Sequence, residues 1–335
     1  MKEASFWSAE DERKVRCGLC PHDCLIAEGK GGICKVRKNR DGTLCSTVYG
    51  ELAAIHSDPI EKKPLYHFYP GKQILSVGTF GCNLRCSFCQ NYSLSQEEPR
   101  PAGTGMKISP VELAEKAFRI PGNLGIAYTY NEPTVFYEFM FETAVEVKQT
   151  GLKNVMVSNG FIHSGPLEKL LPYMDAFNID LKSFSDDFYR KMTGGRLTPI
   201  LESLKTIRKA GKHLEITFLV IPGLNDSTEE FDRMTGWIFN ELGPDVPFHL
   251  SRYFPAYRLS VPPTPHQTLN RLATAAAQKL RYVFTGNVSN EDFSSTFCPY
   301  CQAELIHRIG YDIRVTGLSA EGTCRGCGAK IPVIV

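Results

Sequence analysis

Between residues 73 and 285 the sequence alternates short apolar runs with longer amphipathic stretches, and this alternation limits the possible folds more than any other feature. The runs 73–79, 124–130, 154–158, 176–181, 213–221, 246–253 and 281–285 read as buried strands. Helix signals fall between them. Ser109-Pro110-Val111-Glu112 has Ser at the N-cap, Pro at N1 and Glu at N3, a capping box. Residues 132–150 place Val135, Phe136, Phe139, Ala144 and Val147 near helical period, and Gly151 ends the run. Thr198-Pro199, Ser227-Thr228-Glu229-Glu230 and Thr264-Pro265-His266-Gln267 each predict a helix start. Repeated βα units imply an α/β fold, a parallel sheet with helices outside. Six to seven units predict a partial (β/α)6-type barrel rather than a closed eightfold one. Residues 58–70, rich in Pro and aromatics, read as an ordered linker. The predicted organisation is a Cys-rich segment with linker over 1–70, the barrel over 71–290 and a small module over 291–335.

Composition sets the class. The chain has 335 residues, 42% hydrophobic and 22% charged, enough for a large core. A net charge of +2 gives no electrostatic case for nucleic acid or an anionic membrane. The first residues lack the apolar core of a signal peptide, and no apolar run approaches the ~20 residues of a membrane helix. A cytoplasmic location is the expectation, and there cysteines point to metal rather than disulfides.

The 12 cysteines segregate. Cys17, Cys20, Cys24, Cys34 and Cys45 precede the barrel; Cys82, Cys86 and Cys89 open it; Cys298, Cys301, Cys324 and Cys327 follow it. The middle group has the spacing C-x-x-x-C-x-x-C. Three thiolates on one loop suit an iron–sulfur cube with one iron left open for a small molecule, whereas a cube used only for electron storage takes four. The alternative is a zinc knuckle. Other polar groups also stand where strands end, the active edge of such barrels. They are Asn131-Glu132-Pro133, Ser158-Asn159-Gly160, Asp180-Leu181-Lys182, Pro222-Gly223, and His249, Arg252 and Tyr253. Singly, each has a structural reading: a cap, a turn, an ion pair, a core histidine. Together at one rim they predict a site.

The cysteine loop, the strand-end Glu132 and the partial barrel resemble radical S-adenosylmethionine (SAM) enzymes. The strings Cys89-Gln90-Asn91-Tyr92, Tyr128-Thr129-Tyr130-Asn131-Glu132-Pro133 and Ile179-Asp180-Leu181-Lys182 resemble the branch of pyruvate formate-lyase activating enzymes. The N-terminal Arg16-Cys17-Gly18-Leu19-Cys20-Pro21-His22-Asp23-Cys24 and the terminal cysteine pairs are similar to the radical enzyme of the AmmeMemoRadiSam system. The resemblance implies that Cys82, Cys86 and Cys89 hold a [4Fe–4S] cluster whose fourth iron is chelated by SAM. One electron then cleaves the sulfonium to methionine and a 5′-deoxyadenosyl radical, which abstracts hydrogen from a substrate. It further implies that Glu132 receives the methionine ammonium and that Asp180 and Lys182 bind the cofactor's ribose and carboxylate. Asn131, Ser158 and Asn159 join the cofactor site, and His249, Arg252 and Tyr253 face the substrate. Two departures stand out: Tyr130-Asn131 replaces the family's Gly-Gly before Glu132, and Val157-Ser158 replaces an acid found in the activating enzymes. The implied partners are Memo-type and AMMECR1-type proteins, a flavodoxin or ferredoxin as electron donor, and an unidentified protein or small-molecule substrate. A glycyl-radical-enzyme activase is the rival within the class, and a non-catalytic metal-binding scaffold the rival outside it.

The outer cysteine groups read as separate metal sites. Cys298-x-x-Cys301 and Cys324-x-x-Cys327, with 22 residues between the pairs, suit a tetrahedral zinc ribbon. Cys17, Cys20, Cys24 and Cys34 suit zinc or an auxiliary iron–sulfur cluster, because soft sulfur ligands accommodate both.

Overall fold

A computed structural model describes residues 1–97, 105–288 and 293–335. Eight strands form the central sheet: β1 (Ala54–Pro59), β2 (Gln73–Gly78), β3 (Asn123–Tyr128), β4 (Lys153–Ser158), β5 (Ala176–Asp180), β6 (His213–Val220), β7 (Phe248–Arg252) and β8 (Val283–Gly286). They lie side by side in chain order. β2 to β8 are parallel, and β1 pairs antiparallel with β2, Asp58 opposite Ile74. Among the described residues nothing pairs β1 with β8, so the sheet is an open partial barrel. The parallel strands are buried on both faces, which is why they read as continuous apolar runs.

The crossovers carry α1 (Pro110–Arg119), α2 (Tyr137–Gln149), α3 (Ser164–Leu170), α4 (Leu197–Lys209), α5 (Thr228–Leu242) and α6 (His266–Ala277). Ser109 and Glu112 form the expected capping box of α1. The other starts differ from expectation. Residues 133–136 form a 3-10 turn before α2. α4 begins at Leu197, whose N–H donates to Asp186, so Thr198 and Pro199 sit inside its first turn. Ser227 does cap α5, but the Glu230 carboxylate turns away to accept from Ser183 Oγ and Phe184 N on the loop after β5. Thr264 does not cap α6: its hydroxyl accepts from Tyr253 N and donates to Val220 O.

Residues 58–70 do more than link. After β1 they cross the bottom of the barrel, where Ile60, Leu65 and Phe68 pack on Ile74, Ala127, Val155 and Ala176 of β2 to β5. The Glu215 carboxylate, fully buried on β6, accepts from Tyr66 N, His67 N, His213 and His249. Burial alone would push this carboxyl up; the bonds from His213 and His249 outweigh it and hold it well below the ordinary range.

The N-terminal segment is not set apart. Two small antiparallel sheets, built around Val15–Cys17 and Thr43–Ser46, share one hydrophobic core with the barrel. A buried ion pair, Arg37 Nη1 to Glu138 Oε1 at 2.9 Å, fastens the segment to α2. The C-terminal module has its own core around Leu305, Ile306 and Ile331, and a three-stranded antiparallel sheet. Its buried Arg308 donates to Tyr66 O at the barrel floor. No helix among the described residues is long and apolar enough to cross a membrane.

Candidate active site

The ends of β2 to β7 open on a cavity of about 240 Å³. Its wall carries Cys82, Cys86 and Cys89 from the loop after β2, with Asn131 and Glu132 after β3. Ser158 and Asn159 come from the end of β4, and Asp180 and Lys182 from the end of β5. The structure thus brings together residues spread over a hundred positions, because parallel strands deliver every C-terminal end to the same rim.

The cysteine loop is held by its neighbours. Gly81, at φ +87°, admits no side chain: a Cβ there would stand 2.6 Å from the Cys34 carbonyl oxygen. Asn131 spends its amide on this loop, accepting from Thr79 N and donating to the carbonyls of Phe80 and Gly81. It braces the cluster loop, a job that a Gly-Gly turn could not do. Tyr130, also at positive φ, sends its hydroxyl into the barrel to donate to Asp58. Leu84 N and Asn159 Nδ2 both donate to Cys82 Sγ, at 3.3 and 3.7 Å. Such amide donors favour a sulfur that carries negative charge. Burial pushes the free Cys82 thiol well up, and the Cys86 thiol up to about 12 despite the nearby Lys182 ammonium. These groups shed their protons only when a metal takes their place.

Glu132 is buried. Oε1 accepts from Thr134 N at 2.9 Å and Ser158 Oγ at 2.8 Å, and Oε2 accepts from Asn159 N at 2.8 Å. Burial raises its pKa while these bonds lower it, with burial prevailing. A carboxylate takes about four hydrogen bonds, so Glu132 keeps room for one more donor on the cavity side. Lys182 Nζ donates to Asp180 Oδ2 at 2.9 Å. Burial would lower its pKa, but the Asp180 carboxylate outweighs burial and keeps the ammonium charged.

The last group expected at this rim does not reach it. His249 lies in the barrel floor, held by Glu215 at 2.6 Å. Arg252 donates to Thr264 O and contacts His266; the Tyr253 hydroxyl donates to Leu259 O. None of the three lines the cavity; Thr217, Leu219 and Ser251 line that side instead. The reason is the period of the strand. Ser251 points inward at the rim, while its neighbour Arg252 points out to the helix layer and His249, two residues earlier, lies deeper on the inner face. Alternation along β7, counted from its end, was the available signal. Gln90 and Asn91 on the cysteine loop and Gln96 just after it also line the cavity, and no pattern in the sequence marks them as a site.

In the terminal module Cys298, Cys301, Cys324 and Cys327 present sulfurs all within 4.8 Å of one another, a group that could hold a metal ion.

The family model described as the radical SAM superfamily matches residues 76–235. The chain is 42% identical over 338 residues to the uncharacterized protein MJ0808 of Methanocaldococcus jannaschii, covering all of both. It is 27% identical over 165 residues to a pyruvate formate-lyase-activating enzyme of Clostridium pasteurianum, covering 48% of this chain and 67% of that one. Among solved structures it resembles Streptococcus suis SuiB bound to S-adenosylmethionine, with TM-score 0.50 and 16% identity over 68% of this chain and 55% of that one, a likeness of fold. Residues 76–235 form a radical SAM domain, and the chain is an enzyme of radical SAM type.

The fold implies a [4Fe–4S] cluster and SAM, and the residues present fit both. Three thiols share one loop at a cavity wall, amide donors aim at Cys82, and a carboxylate with one free acceptor site and a charged ammonium line the same cavity.

Proposed function

We propose that this chain reductively cleaves SAM and uses the resulting radical on a substrate brought to the same cavity. One observation carries the reading: Cys82, Cys86, Cys89, Glu132 and Lys182 line a single cavity. When bound, the cluster and SAM together supply a 5′-deoxyadenosyl radical. The chain's own residues bind and orient. Glu132 receives the methionine ammonium on its remaining lone pair. Lys182 offers charge to the carboxylate, with Asp180 holding its ammonium in place and facing the ribose. Ser158 and Asn159 position Glu132, and Asn159 also steadies Cys82. The test is 5′-deoxyadenosine formation by anaerobically reconstituted, reduced protein. Its absence would refute the proposal.

For the substrate we favour modification of a protein or small molecule together with Memo-type and AMMECR1-type partners, with a flavodoxin or ferredoxin as reductant. Copurification with those proteins is the check. Relatives named as activating enzymes support a second reading, installation of a glycyl radical on a partner enzyme. Against it stands Ser158, where activating enzymes carry an acid. A spin signal appearing on a partner polypeptide would decide for activation. In the terminal module the tight sulfur set supports one zinc ion, since zinc–sulfur bonds of about 2.3 Å in a tetrahedron bring ligands this close.

A further inference from the structure

The N-terminal cysteines stand round a pocket of their own. Cys17, Cys20, Cys24 and Cys34 line a narrow, mostly apolar pocket of about 20 Å³ whose other walls include Leu19, Ile26 and Val135. Cys17 and Cys34 are buried on its inner side; Cys20 and Cys24 are half-buried on the outer side, next to the exposed Leu25. His22 also lines the pocket, but its Nε2 bonds to Asn83 O at 2.6 Å, so it acts as a tether and leaves four thiols as the ligand set.

The chain contains its own scale for judging what those thiols hold. Among the described residues, the terminal four are the one group of three or more ligating atoms that all lie within 4.8 Å of one another. That is single-ion spacing. Neither the N-terminal four nor Cys82, Cys86 and Cys89 meet that spacing. In an iron–sulfur cube each cysteine binds a different iron, so the sulfurs stand farther apart than around one ion. Among the described residues one cysteine group therefore has single-ion spacing and the other two do not.

The pocket also abuts the active site. The Cys34 carbonyl lies against Gly81, the residue before Cys82. Asn83 forms part of the N-terminal pocket, and its Oδ1 accepts from Asn159 Nδ2, the group that also donates to Cys82 Sγ. Soft thiolates, an apolar lining and direct backbone contact suit a redox centre better than a structural ion placed there by chance.

We propose that Cys17, Cys20, Cys24 and Cys34 hold a second iron–sulfur cluster, which passes electrons inward to the cluster on Cys82, Cys86 and Cys89. The step moves one electron and no atoms. A low-potential one-electron carrier protein is oxidised at the Cys20–Cys24 side and reduces the second cluster. That cluster then reduces the inner one across the Cys34–Gly81 contact and returns to its oxidised state. The relay deepens the radical reading and rests on it; the second metal site does not.

The test counts iron, sulfide and zinc in anaerobically reconstituted wild type, in C82A/C86A/C89A, and in that variant with C24A added, and records spin-resonance spectra after dithionite reduction. The triple variant is expected to keep about four irons and four sulfides per chain, against about eight of each in the wild type. Adding C24A removes the remainder. Iron-free triple variant carrying two zinc ions per chain overturns the second cluster. Equal iron in wild type and triple variant refutes the radical site instead, so the two failures are distinct. For the relay, C24A alone is compared with wild type by stopped-flow absorbance of the inner cluster. Reduction by a flavodoxin or ferredoxin should slow by about tenfold or more, with the inner cluster's iron retained. An unchanged rate overturns the relay.

Discussion

Replacing Glu132 by Gln tests the centre of the proposed site with almost no change in volume. In the wild type both carboxylate oxygens accept from fixed donors, Thr134 N and Ser158 Oγ on one side and Asn159 N on the other. A glutamine offers one oxygen and one NH2 group. With its oxygen toward Thr134 and Ser158, the NH2 faces the Asn159 N–H, donor against donor, at a separation of 2.8 Å in the wild type. With the amide flipped, two donors lose their acceptor. The lesser arrangement leaves one buried donor unsatisfied, a cost of about 1–3 kcal/mol in stability. The methionine ammonium also loses a charged partner, worth about 1.5–3 kcal/mol. At about 1.4 kcal/mol per tenfold, SAM should bind roughly 10- to 150-fold more weakly. Equilibrium binding of SAM to anaerobic protein with full iron content reads this directly, and thermal unfolding reads the stability cost. An E132Q protein that keeps its iron and binds SAM as the wild type does would remove Glu132 from the cofactor site.

Other outcomes follow from single contacts. Glu138→Ala strands Arg37 without its buried partner and should destabilise the protein by about 3–5 kcal/mol, whereas the double change R37M/E138L should recover most of that loss in urea unfolding. Burial pushes His67 down to about 3, so the folded state resists its protonation. Its contribution is fully present above the ordinary histidine pKa near 6.5 and shrinks as pH falls toward 3, by at most about 1.4 kcal/mol per pH unit. Urea midpoints of wild type and H67Q should therefore converge on acidification, and parallel curves would refute the assignment. Cys301→Ser should release the terminal metal and loosen residues 291–335 to proteolysis while barrel iron stays bound. Intact resistance to protease in the metal-free variant would show that the small core around Leu305 and Ile306 suffices alone.

By itself the sequence determined the local and periodic features. The seven parallel strands are legible because a strand buried on both faces must be apolar throughout, and the α1 capping box is legible because both its halves lie within four residues. The C-x-x-x-C-x-x-C loop is legible for the same reason, since all three ligands sit in one turn of chain. Tertiary structure alone decided which polar residues share a place. Glu132 reads as a strand-end acid, but its saturation by Ser158 and Asn159 depends on β3 and β4 lying side by side. Asn131 proved a brace for the cysteine loop, and Glu230 left its helix for the loop after β5, each drawn by a backbone donor or acceptor far away in sequence. His249 looked like a rim residue, yet the sheet register sets it on the floor against Glu215, from which residues 66–67 also hang. Residues 58–70 carry no periodic signal, and their role as the barrel's base exists only once seven strand starts have converged beneath it. Spacing in sequence leaves zinc and a cluster both open for Cys17, Cys20, Cys24 and Cys34; the surrounding fold decides which sulfurs come close, and among the described residues only the terminal four all lie within 4.8 Å of one another.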